Sequence, residues 1–289
     1  MNCDNGQGQM VGTEGIEEGN GNREDRDRLD RARGGKGEKR KGEREIKIKL
    51  INIQGLTNEK YSELEGEIEE GTLLCLTETQ KKIDNIKRSK GIKGLNSMRE
   101  EGDQKGGGLA IMYREKEDFK WNRIENGIKD VLEVEGRIGE LEVRIFLNYF
   151  RTGSGEEVSI NNNRVKDFIV GRIEELGQNI GIIVLGDFNG HLGYLGDQIE
   201  NSTGKIVNEM LEKGNLILFN LDDRCRGVYT WQRGTSRSVI DLVLVNEKML
   251  GRMIGMEIDE EREKIDISDH ALIEIKIKGG RVEKENRKK

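Results

Sequence analysis

Residues 180–189, IGIIVLGDFN, contain an uninterrupted apolar run from Ile182 to Leu185 with glycine on both sides. Such a run predicts a short strand that is buried on both of its faces. Asp187 and Asn189 follow where this strand ends. Turns commonly carry Asp or Asn for conformational reasons alone. The role of these two residues therefore depends on what the rest of the chain places beside them.

Segments on both sides of this strand also have the periodicity of strands or helices. Further strands are predicted at 45–53, 71–78, 106–113, 141–150, 215–220, 228–232, 238–246 and 270–278. Residues 161–179 predict a helix with an asparagine N-cap and an end at Gly177, and residues 204–213 predict another. Strands that alternate with helices predict an α/β protein whose sheets are covered by helices on their outer faces.

The chain is predicted to form one folded domain over residues 45–279. Residues 1–44 are rich in charge and glycine and almost free of apolar side chains, so they are expected to be a disordered tail. Residues 280–289 are expected to be a short polar tail. The chain contains no internal repeat and no linker after residue 45 that would divide the domain.

The composition limits the classes of partner. The net charge is −6, so a nucleic-acid partner would need local basic segments or metal ions rather than a generally basic surface. No apolar stretch is long enough to span a membrane, and none has the pattern of a secretion signal. The three cysteines match no zinc-binding spacing, and their odd number fits a reducing, intracellular compartment.

Polar side chains occur at the ends of several predicted strands. This set comprises Asn52, Glu78, Tyr149, Asp187, Asn189, Asp241, Asp269 and His270. Each of them alone is more commonly a turn, surface or core residue. Asp241 differs because it lies within apolar sequence, where an unpaired carboxylate would be costly, and His270 is its natural partner. Oxygen ligands with a single histidine and no thiol favour Mg²⁺ or Mn²⁺ over zinc.

The motifs NIQGL, LTET, NYF, GDFNGH, IDLVLV and SDH, in this order over residues 45–278, resemble those of the endonuclease/exonuclease/phosphatase family. The pair GDFN and SDH is the most specific of them. Within the family, the chain looks most similar to the apurinic-type endonuclease domain of non-long-terminal-repeat (non-LTR, LINE-like) retrotransposons. The resemblance implies a four-layer α/β sandwich, in which two packed mixed β-sheets are flanked by helices and the active site lies at one end.

The resemblance also implies a role for each residue of the set. Glu78, Asn52 and Asp269 would hold a divalent metal, Mg²⁺ or Mn²⁺. Asp187, positioned by Asn189, would deprotonate the attacking water. His270, oriented by Asp241, would bind the scissile phosphate and stabilise its developing charge, and Tyr149 would donate a hydrogen bond to the phosphate or to the leaving oxygen. DNA contacts are expected from Arg233 and Arg237 in the basic segment at residues 232–238, for which an ordinary solvated loop is an equal alternative, and from Thr230, which precedes this segment.

The expected function is metal-dependent nicking of target DNA for retrotransposition. The enzyme would be an intracellular monomer that acts in the nucleus, with DNA and a reverse transcriptase domain outside this chain as partners and no membrane association. One alternative is a decayed or domesticated retroelement fragment that acts as a non-catalytic interaction module. Another is a phosphoinositide or sphingomyelin phosphodiesterase of the same fold, which would be expected to carry an apolar lipid-facing segment that this sequence lacks.

Two positions depart from the family pattern. Gln54 stands where apurinic-site enzymes typically have aspartate, which weakens a repair function and leaves the nuclease expectation intact. Arg151 stands where the family usually has proline, in a chain that has no proline at all. This second departure puts the geometry of the loop after Tyr149 in question.

Overall fold

A computed structural model of the protein describes residues 43–99, 106–196 and 199–281. The predicted tails at residues 1–44 and 280–289 therefore lie almost wholly outside the described residues. The strands in chain order are β1 (Glu43–Asn52), β2 (Thr72–Thr77), β3 (Ile92–Ser97), β4 (Leu109–Arg114), β5 (Trp121–Ile124), β6 (Val131–Ile138), β7 (Leu141–Tyr149), β8 (Gly181–Asp187), β9 (Ile217–Leu218), β10 (Cys225–Arg226), β11 (Trp231–Arg233), β12 (Ser236–Ser238), β13 (Asp241–Val245), β14 (Met253–Ile258) and β15 (Ile273–Arg281). The α-helices are α1 (Asn58–Glu65), α2 (Glu156–Leu176), α3 (Ser202–Lys213) and α4 (Glu247–Leu250).

The strands form two large mixed sheets. The first has the order β10-β14-β15-β1-β2-β4-β3, with β1 parallel to β2 and antiparallel to β15. The second has the order β5-β6-β7-β8-β13-β9, with β7 parallel to β8 and β13 antiparallel to β8. Strands β11 and β12 form a separate hairpin. The parallel pairs bring the carboxyl ends of β1 and β2, and those of β7 and β8, to the same edge of their sheets.

The two sheets pack face to face over the central core, because their strands present apolar side chains in alternation. In β2, Leu73 and Cys75 face this core, whereas Leu74 and Leu76 lie in a separate cluster on the outer face with Leu64 of α1. This alternation explains why the whole strand reads as one apolar run. Helices α2 and α3 cover the outer face of the second sheet, which completes the four-layer α/β sandwich that the sequence predicted.

Helix α2 begins earlier than its sequence pattern predicted. Its N-cap is Gly155, so Asn161 and Asn162 lie inside the helix instead of capping it. The side chain of Asn162 is buried, and tertiary hydrogen bonds to the backbone of Arg151 satisfy its polar atoms. The predicted end at Gly177 is correct, since this glycine has a φ of 70° and its N–H bonds the carbonyl of Ile173.

Two predicted strands are reduced to two strand residues each in the structure. The segment 215–220 contains only the two residues of β9, followed by a 3₁₀ turn at Phe219–Leu221. In the segment 228–232, the only strand residues are Trp231 and Gln232, which begin the β11–β12 hairpin. Both segments lie where the chain turns between elements, and local apolar periodicity does not distinguish such turns from strands.

Candidate active site

The polar residues at the strand ends meet between the two sheets. Asn52 ends β1 in the first sheet and Asp187 ends β8 in the second, and the amide of Asn52 donates a hydrogen bond of 2.9 Å to Asp187 Oδ2. Both side chains are buried. The same edge of the sandwich therefore brings together residues that are far apart in the chain.

Asn52 links two carboxylates. Its Nδ2 also donates to Glu78 Oε1 at 3.0 Å, while its Oδ1 accepts the backbone N–H of Gln54 at 3.0 Å. The amide hydrogens thus face Glu78 and Asp187, and the amide oxygen keeps a second lone pair. Asn52 positions the two carboxylates, and its expected role as a metal ligand stays a prediction.

Asp187 has the electrostatic environment of a proton acceptor that works near neutral pH. Burial, and then the charge of Asp241, raise its pKa to about 7, although His270 and the hydrogen bond from Asn52 oppose the shift. Its Oδ1 accepts the backbone N–H of Asn189 at 3.0 Å. A carboxylate with such a pKa is suited to general-base catalysis at neutral pH.

Asp241 and His270 form a buried pair. His270 Nδ1 lies 2.7 Å from Asp241 Oδ2. Burial lowers the pKa of His270, but the neighbouring carboxylates of Asp241, Asp187 and Asp269 outweigh this and raise it to about 9. The imidazole is therefore protonated at neutral pH, so it can donate from Nε2 to an anionic group.

Several oxygens in the site suit a divalent cation. The buried Oδ1 atoms of Asp241 and Asp269 have no hydrogen-bond partner within the described part of the chain. Among the described residues, Asp187, Asp241 and His270 each offer one ligand atom, and these atoms lie within 4.8 Å of one another. Buried oxygens without donors are costly unless a cation or water satisfies them. The donor set therefore fits a hard divalent cation.

The described residues that could bind the cation only partly match the set named from the sequence. Asp269 is at the site, with Oδ1 at 3.8 Å from His270 Nε2. Glu78 is half-buried, follows β2, and accepts from the same Asn52 nitrogen as Asp187. The motif resemblance implied acid–base and phosphate chemistry, rather than metal binding, for the buried group of Asp187, Asp241 and His270.

Tyr149 lies at the end of β7 and is buried. Burial raises the pKa of its hydroxyl far above the ordinary value, and the nearby carboxylates of Glu78 and Asp187 raise it further. The hydroxyl therefore remains protonated and serves as a donor. The guanidinium carbon of Arg99 lies 5.4 Å from the centroid of the Tyr149 ring. Arg99 could not be recognised from the sequence, because it lies in a polar segment without any strand or helix periodicity.

The end of β8 and the turn that follows it require particular residues. Gly186 has a φ of 149°, and a Cβ at this position would lie 1.9 Å from the carbonyl oxygen of Asn148 on the neighbouring β7. Asn189 has a φ of 48°, and its Nδ2 donates to the carbonyl of Phe150 at 2.9 Å. Asn189 thus ties this turn to the end of β7 and holds its backbone N–H at Asp187.

The loop after Tyr149 is held without a proline. The N–H of Arg151 donates to Asn162 Oδ1 at 2.8 Å, and Asn162 Nδ2 donates to the carbonyl of Arg151 at 3.0 Å. A proline at position 151 could not make the first of these bonds, because it has no N–H. The side chain of Asn162 thus fixes the loop by hydrogen bonds at the position where the family usually has a rigid residue.

The β11–β12 hairpin is attached to the segment that carries His270. Trp231 forms a β-bridge with His270, and the N–H of Gln232 donates to the carbonyl of Asp269 at 2.9 Å. Arg233 and Arg237 on this hairpin are exposed, as a DNA contact requires. The sequence analysis did not anticipate that this basic hairpin pairs directly with the histidine segment.

Thr230 does not suit the DNA-contacting role expected of it. Its side chain is fully buried, and its Oγ1 accepts the backbone N–H groups of Ile240 and Asp241, both at 3.0 Å. These bonds fix the start of β13, where Asp241 is placed. Thr230 therefore supports the site from within the protein.

Comparisons with known proteins agree with this fold. A protein-family model described as endonuclease-reverse transcriptase matches residues 143–274. The endonuclease domain of TRAS1, a telomere-specific non-LTR retrotransposon, is 19% identical with a TM-score of 0.60, over 83% of this chain and 100% of that one. The 3′ phosphatase NExo from Neisseria, solved with product DNA hairpin, is 17% identical with a TM-score of 0.61, over 80% and 99% of the two chains.

A third solved structure, the AP endonuclease LMAP from Leishmania major, is 13% identical with a TM-score of 0.65, over 82% of this chain and 89% of that one. No curated protein matches the chain. The fold is that of the endonuclease/exonuclease/phosphatase family, which confirms the resemblance seen in the sequence motifs. The similar structures include a retrotransposon endonuclease and an AP endonuclease. None of the described helices is long and apolar enough to cross a membrane.

Proposed function

We propose that the protein is a divalent-metal-dependent phosphodiester hydrolase that nicks target DNA for retrotransposition. The observation that carries this proposal is that two hydrogen-bonded groups of side chains meet at one edge of the sandwich. In the first group, Asn52 bridges Glu78 and Asp187. In the second group, Asp241 pairs with His270. Together they supply a base, a cationic donor and metal-binding oxygens, which hydrolysis of a phosphodiester requires.

Glu78, Asn52 and Asp269 are the proposed ligands of Mg²⁺ or Mn²⁺, and the Asn52 amide also orients Glu78. When bound, the cation would neutralise charge that develops on the phosphoryl group and on the leaving oxygen. The partnerless Oδ1 of Asp269 supports this assignment. Asp241 also has a partnerless oxygen, but its other oxygen is bonded to His270, so we assign Asp241 to the histidine.

Asp187 is the proposed general base. It takes a proton from a water held between its carboxylate and the scissile phosphate, while the N–H of Asn189 keeps the carboxylate oriented. His270 donates from Nε2 to a non-bridging phosphate oxygen, where negative charge increases in the transition state. Tyr149 donates its hydroxyl proton in a hydrogen bond to the same phosphate.

DNA is the proposed substrate because of the surface next to the site. The exposed Arg233 and Arg237 lie on a hairpin that is paired with the segment carrying His270. Among the similar structures, the Neisseria phosphatase is bound to DNA and the TRAS1 domain comes from a retrotransposon. The family description names a reverse transcriptase beside the endonuclease, so we propose a reverse transcriptase domain as partner and the nucleus as the place of action.

A plasmid-nicking assay tests the proposal. Supercoiled DNA is incubated with the purified protein and Mg²⁺, Mn²⁺ or EDTA, and nicking is expected with either metal and not with EDTA. Asp187→Asn should reduce the rate roughly 10²–10⁴-fold, the range for loss of a general base. Asp223→Asn, at an exposed aspartate outside the site, is the matched control and should leave the rate unchanged.

The outcomes separate the candidate functions. A folded wild-type protein that binds DNA but nicks it with neither metal would exclude the hydrolase and leave the interaction module. Hydrolysis of phosphoinositide or sphingomyelin vesicles without any DNA nicking would favour the lipid phosphodiesterase. Equal rates for Asp187→Asn and the wild type would remove Asp187 as the base.

A further inference from the structure

The turn after β8 is bonded to the residue that begins helix α3. Asn201 is the N-cap of α3, and its Oδ1 accepts the N–H of Gly204 in the first turn of that helix at 2.7 Å. The same oxygen accepts the backbone N–H of His191 at 3.1 Å, and Asn201 Nδ2 donates to the carbonyl of Asn189 at 3.3 Å. One side chain therefore joins the helix to two residues of the turn.

The helix approaches the turn closely because Gly204 has no side chain. A Cβ on Gly204 would lie 2.0 Å from the carbonyl oxygen of His191. That carbonyl also accepts the backbone N–H of Asn201 at 3.1 Å, so His191 and Asn201 are bonded in both directions. A larger residue at position 204 would push the helix away and take the Asn201 amide out of reach of Asn189.

These contacts bear on Asn189 because the regular strand pairing ends just before it. The N–H of Phe188 still donates to the carbonyl of Ile240, ahead of β13, at 2.8 Å. Asn189 then has a φ of 48°, a conformation that a residue other than glycine keeps where its surroundings fix it. Its carbonyl is held by Asn201, and its N–H donates to Asp187 Oδ1. The direction of this N–H therefore depends on the contact with Asn201.

Asn246 makes the same set of contacts at the other end of β8. It is the N-cap of α4, and its Oδ1 accepts the N–H of Met249 at 3.2 Å. The same oxygen accepts the N–H of Ile182 at 3.0 Å, and Nδ2 donates to the carbonyl of Ile180 at 2.8 Å. Each asparagine is half-buried and binds a carbonyl together with the N–H two residues further along. These partners of Asn246 belong to the start of β8, whereas those of Asn201 adjoin the candidate base.

We propose that Asn201 is a positioning residue that sets the orientation of the Asp187 carboxylate through Asn189, and thereby the rate of nicking. The inference rests on the proposed function, in which Asp187 is the general base. The Asn201 amide fixes the backbone of Asn189, and the N–H of Asn189 fixes the carboxylate. A base that turns away from the line between water and phosphate loses rate steeply, because the reacting atoms must be aligned before the reaction.

Asn201→Ser tests the proposal. Serine caps a helix about as well as asparagine, but it is too short to hold the backbone of the turn as well. Asn246→Ser is the matched control, since it removes the same kind of contacts from the start of β8. The urea unfolding midpoints of the two variants should fall by similar amounts. The single-turnover nicking rate at saturating DNA should fall roughly 10–100-fold for Asn201→Ser and should be unchanged for Asn246→Ser.

The affinity for DNA separates positioning from binding. It is measured in EDTA, so that the DNA stays intact, and should be the same for the wild type, Asn201→Ser and Asn246→Ser. A loss of rate without a loss of affinity is the result expected of a residue that acts on the base. Equal nicking rates for the two serine variants, or a loss of affinity that accounts for the slower rate of Asn201→Ser, overturns the proposal.

Asn201→Asp isolates the donated hydrogen bond. Aspartate keeps the oxygen that accepts from Gly204 and His191 and lacks the Nδ2 donor to the Asn189 carbonyl. Its nicking rate should therefore fall as in Asn201→Ser, while its unfolding midpoint stays closer to that of the wild type. Asn246→Asp is the control for the added charge at a helix cap and should nick at the wild-type rate. A wild-type rate for Asn201→Asp contradicts the proposal.

Hydrogen exchange measured by NMR on the full chain follows the same contacts without any catalysis. The N–H of Asn189, bonded to Asp187, should exchange faster in Asn201→Ser than in the wild type. The N–H of Ile182, bonded to Asn246, should exchange faster in Asn246→Ser only. Unchanged exchange at Asn189 in Asn201→Ser overturns the proposal.

The two proposals can fail separately. If exchange at Asn189 responds to Asn201→Ser in a protein that nicks DNA with neither metal, the orientation of Asp187 by Asn201 is upheld and the proposed hydrolase alone is wrong. If the wild type nicks DNA and Asn201→Ser nicks it equally fast, the proposed function is retained and the positioning role is lost.

Discussion

Asp187 and Asp241 lie directly opposite each other on the antiparallel strands β8 and β13, both buried, and His270 is bonded to Asp241. Two carboxylates in such a position repel each other, and a protonated imidazole close to both relieves the repulsion. The base and the cationic donor are therefore electrostatically dependent on each other.

Asp241→Asn should weaken catalysis even though Asp241 is not expected to touch the substrate. Without this carboxylate, the pKa of His270 falls towards its ordinary value and the ring loses its orienting partner. We expect kcat for nicking to fall roughly 10²–10³-fold, as for loss of an oriented electrostatic donor. The measurement is a single-turnover rate between pH 6 and 9, and the deficit should grow as the pH rises. A deficit that is constant across this range would argue against a charged His270.

The stability of the metal-free protein should fall as the pH rises from 6.5 through about 9. The pKa of His270 is raised from 6.5 to about 9 in the folded state, so its contribution is complete below pH 6.5 and is lost as the pH passes 9. Urea unfolding in EDTA measures this slope, which we expect to amount to a few kcal/mol. Asp187, whose pKa is also raised, to about 7, contributes to the same decline, and loss of His270 would raise its pKa further. The decline should therefore be absent only in the double change Asp187→Asn with His270→Gln; a wild-type curve that is flat from pH 6.5 to 9 contradicts the assignment.

Asn162→Ala should lower both stability and activity. The change leaves the N–H and the carbonyl of Arg151 without their partners, which costs about 1–3 kcal/mol for each buried group that water cannot reach. The loop after Tyr149 then loses its anchor, and the nicking rate should decrease. Asn163→Ala on the same helix is the control, because Asn163 bonds only within the helix, to Ser159. Equal unfolding midpoints for the two variants would show that the loop is held in another way.

Thr230→Val should lower stability without affecting DNA binding. The double change Arg233→Gln with Arg237→Gln should do the reverse. The valine removes the acceptor for two backbone N–H groups and should destabilise the protein by about 1–3 kcal/mol, with no change in the salt dependence of DNA binding. The double change should leave the unfolding midpoint unaltered and reduce the salt slope by up to about 2. Thr235→Val, in the exposed turn of the same hairpin, is the control for the valine substitution.

The positions of the site residues at strand ends could be predicted from the sequence because apolar runs end visibly at Asn52, Glu78 and Asp187. The parallel pairing of β1 with β2 and of β7 with β8 then brings these ends together. The register that sets Asp241 opposite Asp187 could not be predicted, since it depends on the pairing of strands distant in the chain.

Other features depend on tertiary contacts that leave no local pattern. Asn162 reads as a helix cap by residue type, yet its partner is the backbone of Arg151, and the helix extends past it. Thr230 was expected to contact DNA because it precedes a basic segment, but it is buried against the start of β13. Arg99 lies in a charged segment without periodicity, and only its position over Tyr149 relates it to the site.

The hydrogen bond between Asn52 and Asp187 also determines how the chain can be divided. The sheet that carries Asn52 is built mainly from the two ends of the described chain, β1–β4 and β14–β15, with the two-residue β10 at its edge, whereas the sheet that carries Asp187 comes from the middle. No short contiguous fragment therefore contains a complete site. Two separately expressed pieces, cut between β4 and β5, would each lack essential side chains and would regain them only on reassociation, so nicking would report complementation of a split protein.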